Sequence, residues 1–227
     1  MQIGGDKLIS ILTYNVKHRK TYDVLCLLKA KGYNNVNVYA VPFHYKKKHK
    51  PLIEHRPVII PNSPSTEDIC NNFGYNYFEG SLESFSISSN DTILICGSGI
   101  LPQEFVKEHI VINSHPGYIP NCRGLDALKW AIYEDMPIGV TTHIIGEYVD
   151  AGNVIERRLI NIQPYDTFHS LAQRVYENEI SMLVEAIDKT NTSFVNISPG
   201  EYILHKRMSN EIEKEMLLKF EKKVKNL

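Results

Sequence analysis

Asn113 and His115 stand two positions apart in INSHPGYIPNCRG (residues 112–124), where a short apolar run ends. An asparagine amide offers N–H donors and a histidine offers a donor or carries a proton; neither is a nucleophile prepared in a strained serine or cysteine elbow. Together they suit the holding of an oxyanion while another molecule attacks. The pair also fits a capping Asn and a core-satisfied His at a strand end, and on these two residues alone the readings stand level. Asp150 tilts the balance. It lies in PIGVTTHIIGEYVDAGNVI (137–155), beside Ala151 and Gly152, and an acid near a histidine holds its tautomer and favours the imidazolium. D-A-G is also a common turn. The Asn, His and Asp set needs no metal.

Bringing these groups together takes a strand end and a return strand. IVIN (110–113) reads as a buried strand that delivers Asn113 at its C-terminal end, where ligands bind in open parallel sheets. HPGYIPNCRG follows as a loop pinned by Pro116 and Pro120, ahead of a helix in GLDALKWAIYED (124–135). GVTTHII is a β-branched strand, and EYVDAGNVI a loop carrying Asp150 into a return strand. Upstream, LISILT (8–13), VNVYAV (36–41) and TILIC (92–96) are further strands. YDVLCLLKAKGY (22–33) between the first two reads as a helix stopped by Gly32, which makes a βαβ unit. PFHYKKKHKPLIEHRPVIIPNSP (42–64) is a long loop, its KKKHK run a solvated segment or a phosphate contact. SPSTEDICNNFGY (63–75) predicts a helix starting at Ser63 or Ser65 and ending at Gly74. DTFHSLAQRVYENEISMLVEAI (166–187) predicts one capped by Asp166, with Phe168, Leu171, Val175, Met182 and Ala186 on one face. The pattern is α/β.

At 227 residues, 43% of them hydrophobic, the chain is long enough for one sizeable core and short for two. We expect one domain over residues 1–208 and a helical tail over 209–227. In that tail Ile212, Met216, Phe220 and Val224 form an apolar stripe for the domain itself or for a second subunit of a homodimer; a frayed, solvated end is the alternative. A formal charge of −1 announces no nucleic-acid or membrane partner, so an anionic ligand must be met by a local patch. Cys26, Cys70, Cys96 and Cys122 show no metal-ligand spacing and read as reduced thiols of a cytoplasmic protein. Neither a secretory leader nor a membrane-spanning run is expected.

LICGSGILPQEFV (94–106), INSHPGYIPNCRGLDALKWAI (112–132) and PIGVTTHIIGEYVDAGNVI, in this order and spacing, resemble the catalytic domain of the folate-dependent formyltransferases. The resemblance is most specific over about residues 92–172 and continues loosely to HKRM (205–208). It implies a Rossmann-like formyltransferase fold: a mostly parallel, twisted sheet flanked by helices, with a C-terminal β-hairpin and helix extension. It also implies catalysis by Asn113, His115 and Asp150, with N10-formyltetrahydrofolate as co-substrate and no metal. The folate would be bound largely by backbone groups at Gly99 and Leu101 and at Ile145, Gly146 and Glu147, next to Asp150.

Departures from the pattern bear on the amine that is formylated. TYNVKHRKTYD (13–23) lacks the glycine-serine phosphate loop of glycinamide ribonucleotide formyltransferases, and only about twenty residues follow HKRM, against the extra barrel of methionyl-tRNA formyltransferases. PLIEHRP (51–57), NCRG (121–124) and PIGVTTH are closest to the sugar-nucleotide N-formyltransferases. That branch implies an amino-dideoxyhexose on dTDP or UDP, with His55, Arg56 and Arg123 as pyrophosphate or sugar contacts. Each of the three could equally brace a loop. Hydrolysis of formyltetrahydrofolate and a non-catalytic folate- or nucleotide-sugar-binding relic are the remaining alternatives.

Overall fold

Strands β1 (Ile9–Tyr14) and β2 (Val36–Val41) are apolar, β-branched runs, and helix α1 (Arg19–Ala30) crosses between them with Val24, Leu25 and Leu28 buried. The computed structural model describes residues 7–44, 50–58, 62–89, 91–146, 150, 152–189, 194–198, 200 and 202–227. Gly32, at φ 84°, turns the chain so that Gly32 and Tyr33 donate to the carbonyls of Lys29 and Leu28, closing α1 with a glycine stop as expected. The helix starts earlier than expected, at Arg19, and so includes part of a basic stretch. Helix α2 (Thr66–Phe73) is fixed by a capping box of Ser65 and Asp68 and stops at Gly74, φ 72°. Between α1 and α2, residues 50–58 and 62–64 contain no helix or strand.

The chain continues through β3 (Asn76–Glu79), β4 (Thr92–Ile95), α3 (Gln103–Glu108), β5 (Ile110–His115), β6 (Arg123–Gly124), α4 (Ala127–Tyr133), β7 (Gly139–Ile145), β8 (Gly152–Leu159), α5 (Phe168–Glu185), β9 (Val195–Ile197), β10 (Leu204–His205) and α6 (Asn210–Lys225). One sheet has the order β3-β2-β1-β4-β5-β7-β8-β9; β6 and β10 form a second, two-stranded sheet. β3 to β5 pair in parallel, and β7, β8 and β9 add on antiparallel. The chain moves outward from β1 to β3 and then returns to the other side of β1 with β4. Such a reversal opens a crevice at the carboxyl ends of β1 and β4.

Three expectations are corrected, and one left open between two readings is decided. β5 runs on to His115, because β7 pairs Thr142 with Ser114 and Thr141 with His115; His115 is therefore a strand residue. β9 and β10 do not form a hairpin with each other, since β9 pairs with β8 and β10 with β6. Thr167, not Asp166, caps α5 through the Ser170 N–H, while Asp166 takes Arg174, Ser170 and the Gln163 N–H. The tail stripe is covered within the chain: Met216 and Phe220 are buried in the apolar cluster of Phe168, Leu171 and Val175, with Ile212 and Val224 against it.

The expected face of α5 is buried throughout, and its other side closes the sheet's main core through Tyr176, Ile180 and Leu183. Thus α5 lies between two apolar clusters, and Glu179, on a face turned inward, is out of water, whereas Gln173 and Glu177 on the outer face are exposed. Among the described residues no helix is long and apolar enough to cross a membrane.

Candidate active site

Side chains alternate across a strand, so N-x-H on β5 puts Asn113 and His115 on one face. Asn113 is half-buried opposite His143, and His115 is buried opposite Thr141. Ser114 lies between them. Its hydroxyl meets Thr142 Oγ1 at 3.1 Å, and its carbonyl accepts from Lys20 Nζ at 3.3 Å. The β4 ladder ends at Ile112, so Lys20 supplies a donor where a strand no longer does.

The His115 ring is set between two acceptors. Nδ1 is 3.5 Å from Asp150 Oδ1, and Nε2 is 3.3 Å from the Cys122 carbonyl. A neutral imidazole can donate to only one of them, whereas the protonated ring can donate to both. Asp150 is itself held: its φ is +47°, its Oδ2 accepts from the Gly124 N–H at 2.9 Å, and its carbonyl accepts from Arg123 Nε at 2.9 Å. Gly117 makes room for this arrangement. A Cβ there would lie 2.5 Å from the Cys122 carbonyl oxygen and 2.6 Å from His115 Nε2. Gly117→Ala should therefore displace the ring and abolish most catalytic activity while the circular dichroism spectrum stays native; wild-type turnover would show that the ring has no fixed position to lose.

Behind β5, at the carboxyl end of β1, lies a cleft of about 170 Å³ lined by Lys17, His18, Arg19, Lys20, Arg56, Pro57 and Tyr176. Glu179, on α5, is 1% exposed and joins two of these cations: Lys20 Nζ at 2.9 Å and Arg56 at 3.2 Å. Burial alone would push the Glu179 carboxyl up; the charges of Arg56 and Lys20, with His115 adding to them, outweigh burial and hold it below the usual carboxylate range. Burial, reinforced by Lys20 and Arg56, pushes His18 down to about 4, so this ring is neutral at pH 7.

Residues 85–187, which carry Asn113, His115, Asp150 and Glu179, match the model of the formyl transferase family. The match takes in a little under half of the chain, and over this stretch the chain is similar to that family. The formyl transferase segment is also what its relatives share: a methionyl-tRNA formyltransferase of Thermodesulfovibrio yellowstonii is 29% identical over 117 residues, 50% of this chain and 38% of that protein. A phosphoribosylglycinamide formyltransferase of Dictyostelium discoideum is 36% identical over 118 residues, 46% of this chain and 57% of that protein. The chain thus spans well under two thirds of either relative. In fold it is similar to an N-formyltransferase of Helicobacter canadensis solved with folinic acid and dTDP-3-aminofucose, with a TM-score of 0.61 at 16% identity, covering 94% of this chain and 80% of that one.

The other residues expected from the formyltransferase resemblance divide. Leu101 and Ile145 pack on one buried group, that of Leu12, Tyr39, Ile93, Ile95 and Val111, while Gly99 is exposed and Gly146 half-buried nearby in sequence. Glu147 lies outside the described residues, as do the first four residues of the KKKHK run. Arg56 lines the cleft, with its side chain 42% exposed. His55 instead turns toward Asp126, Nε2 to Oδ1 3.9 Å, where burial, with Arg56 and Lys129, pushes it down to about 4. Arg123 is 5% exposed and donates to the carbonyls of Asp150 and Tyr202, bracing the Asp150 turn. Lys17, His18, Arg19, Lys20 and Glu179 are additions. Four consecutive basic or imidazole side chains after β1 are the sequence signal for them. All four thiols are free, and burial pushes Cys70, Cys96 and Cys122 up to about 12, so none of these three is a nucleophile near neutral pH. Among the described residues no cluster of three or more His, Cys, Asp or Glu could hold a metal ion.

Proposed function

We propose that this chain transfers the formyl group of N10-formyltetrahydrofolate to the amine of an amino-dideoxy sugar carried on dTDP or UDP. The observation that carries formyl transfer is the His115 ring held against Asp150 on the same strand face as Asn113. Asn113 and His115 donate to the oxygen that gains charge as a neutral amine adds to the formyl carbon; one such donor lowers the barrier by about 3–4 kcal/mol. Asp150 orients His115 and takes up, through it or through water, the proton the amine sheds. His115 then returns a proton to the folate nitrogen as it leaves. A reduced folate fits the Asn113 face of β5, where Leu101 and Ile145 pack in the apolar group of Val111 and the backbone at Gly99 is exposed.

Support for a nucleotide-linked acceptor is the cationic cleft beside the catalytic strand, which meets an anion on a chain of near-zero net charge. A second reading, a ribonucleotide amine, is favoured by the sequence relative that acts on phosphoribosylglycinamide. Incubating the protein with formyltetrahydrofolate and a panel of amino-sugar nucleotides plus glycinamide ribonucleotide, read by mass for one added formyl group, decides between them. Formylation of none of the panel overturns the proposal.

Arg56 gives a finer test. Arg56→Ala should raise KM for the sugar nucleotide about tenfold or more, the value of a lost charge-assisted contact, while KM for formyltetrahydrofolate stays unchanged. If both constants rise together and the melting temperature drops, Arg56 is a loop brace.

A further inference from the structure

Glu179 sits midway along α5, and a carboxylate so far from water has to be paired. Its two partners differ in kind. Lys20 is 6% exposed, lies 2.9 Å from Oε1, and spends another proton on the Ser114 carbonyl. Arg56 reaches the carboxylate only at 3.2–3.4 Å, from a side chain 42% exposed at the cleft. One cation is therefore fixed and the other has room to turn. Ser114 is the residue between Asn113 and His115, so whatever holds its carbonyl bears on the spacing of both. The contacts form a chain from the cleft to the catalytic strand: Arg56, Glu179, Lys20, Ser114.

We propose that Lys20 and Glu179 are positioning residues for formyl transfer, Lys20 holding the Ser114 backbone on the anchor of Glu179 while Glu179 yields Arg56 to an anionic group of the acceptor. This rests on the formyl transfer reading above. Lys20 keeps Glu179 paired when Arg56 leaves, so the exchange strands no buried charge. An acceptor without an anion leaves Arg56 on Glu179 and gains nothing from it. Occupied cleft and ordered catalytic strand are thus parts of one arrangement, and misplacing the strand by a fraction of an ångström would be felt in turnover rather than in binding.

The test compares wild type with Lys20→Met, Lys20→Arg and Glu179→Gln, each checked for its melting temperature. Lys20→Met should lower kcat at least about tenfold with both KM values within about twofold, and Lys20→Arg should recover part of that loss. Glu179→Gln should lower kcat similarly but bind the acceptor more tightly, because Arg56 is released and a negative charge has gone from beside the cleft. Calorimetry with inorganic pyrophosphate reads this second effect without any turnover: Kd should fall several-fold in Glu179→Gln. Should Glu179→Gln fail to fold, the double variant Lys20→Met with Glu179→Gln, which leaves no lone charge between that pair, is compared with Lys20→Met alone, and its pyrophosphate Kd should be several-fold the lower of the two. Wild-type kcat in folded Lys20→Met, or KM values that rise together with a lowered melting temperature and unchanged kcat, overturns the positioning role. Equal pyrophosphate affinity in wild type and Glu179→Gln, or no binding by either, overturns the release of Arg56. A wild-type protein that formylates nothing refutes the functional reading instead, and the pyrophosphate comparison still decides the Arg56 exchange.

Discussion

Turnover of His115→Ala falls at least about a hundredfold while tetrahydrofolate binding stays within a few-fold. The expectation follows from what the ring touches. Its contacts with Asp150 and the Cys122 carbonyl fix its orientation, and its donor is needed where charge develops, which makes its loss one of kcat. Asp150 keeps the Gly124 N–H and the turn keeps Arg123, so the scaffold survives the substitution. His115→Asn separates the two tasks of the ring, since an amide donates but cannot shuttle a proton. A residual rate above that of the alanine variant measures the donor alone. Steady-state kinetics and calorimetric folate titration check both, and full activity in His115→Ala removes the residue from the mechanism.

The largest effect on stability is expected away from the chemistry, at Lys129 and Glu213. Both side chains are 0% exposed, and they meet at 2.6 Å between α4 and α6. Glu213 also accepts from the backbone N–H groups of Leu52, at 2.5 Å, and Ile53, at 3.4 Å. Lys129→Met leaves that carboxylate buried without its cation, at a cost of about 3–5 kcal/mol. In a domain of this size that lowers the melting temperature by roughly 10 °C. Adding Glu213→Leu should return part of the loss, because no lone charge remains; the return is incomplete because two N–H groups then lack their acceptor. Thermal melts of the two single variants and the double variant give the coupling energy. A single variant within about 1 kcal/mol of wild type would mean that water reaches the pair.

How legible the site was in sequence depends on how far each group lies from its partners along the chain. Asn113 and His115 are bound by a two-residue spacing to one face of any strand, and Gly32 and Gly74 end their helices through local backbone geometry. Such features survive translation from sequence because neighbours decide them. β3 carries no alternating apolar pattern to announce it, being an edge strand whose burial is partial. His55 and Arg123 carry the chemistry of a phosphate contact, yet Asp126 and the carbonyls of Asp150 and Tyr202 claim them; those partners are distant in sequence. The cleft was hidden for the same reason. Its cations come from the segment after β1 and from the loop of Arg56, and Glu179, which joins them, reads in sequence as one more charge on a helix.

The seat of Glu213 on the loop of Leu52 and Ile53 has a consequence for the newborn chain. The donor at Leu52 must wait for an acceptor 161 residues further along, and that loop supplies Arg56 and Pro57 to the cleft. During synthesis the β1–α1–β2 unit can take shape early, since its contacts are close in sequence. The mouth of the cleft cannot be completed until α6 has emerged from the ribosome and docked. A nascent chain paused before that point would own its catalytic strand, with Asn113 and His115 already in place, yet be unable to grip the molecule those residues are proposed to serve.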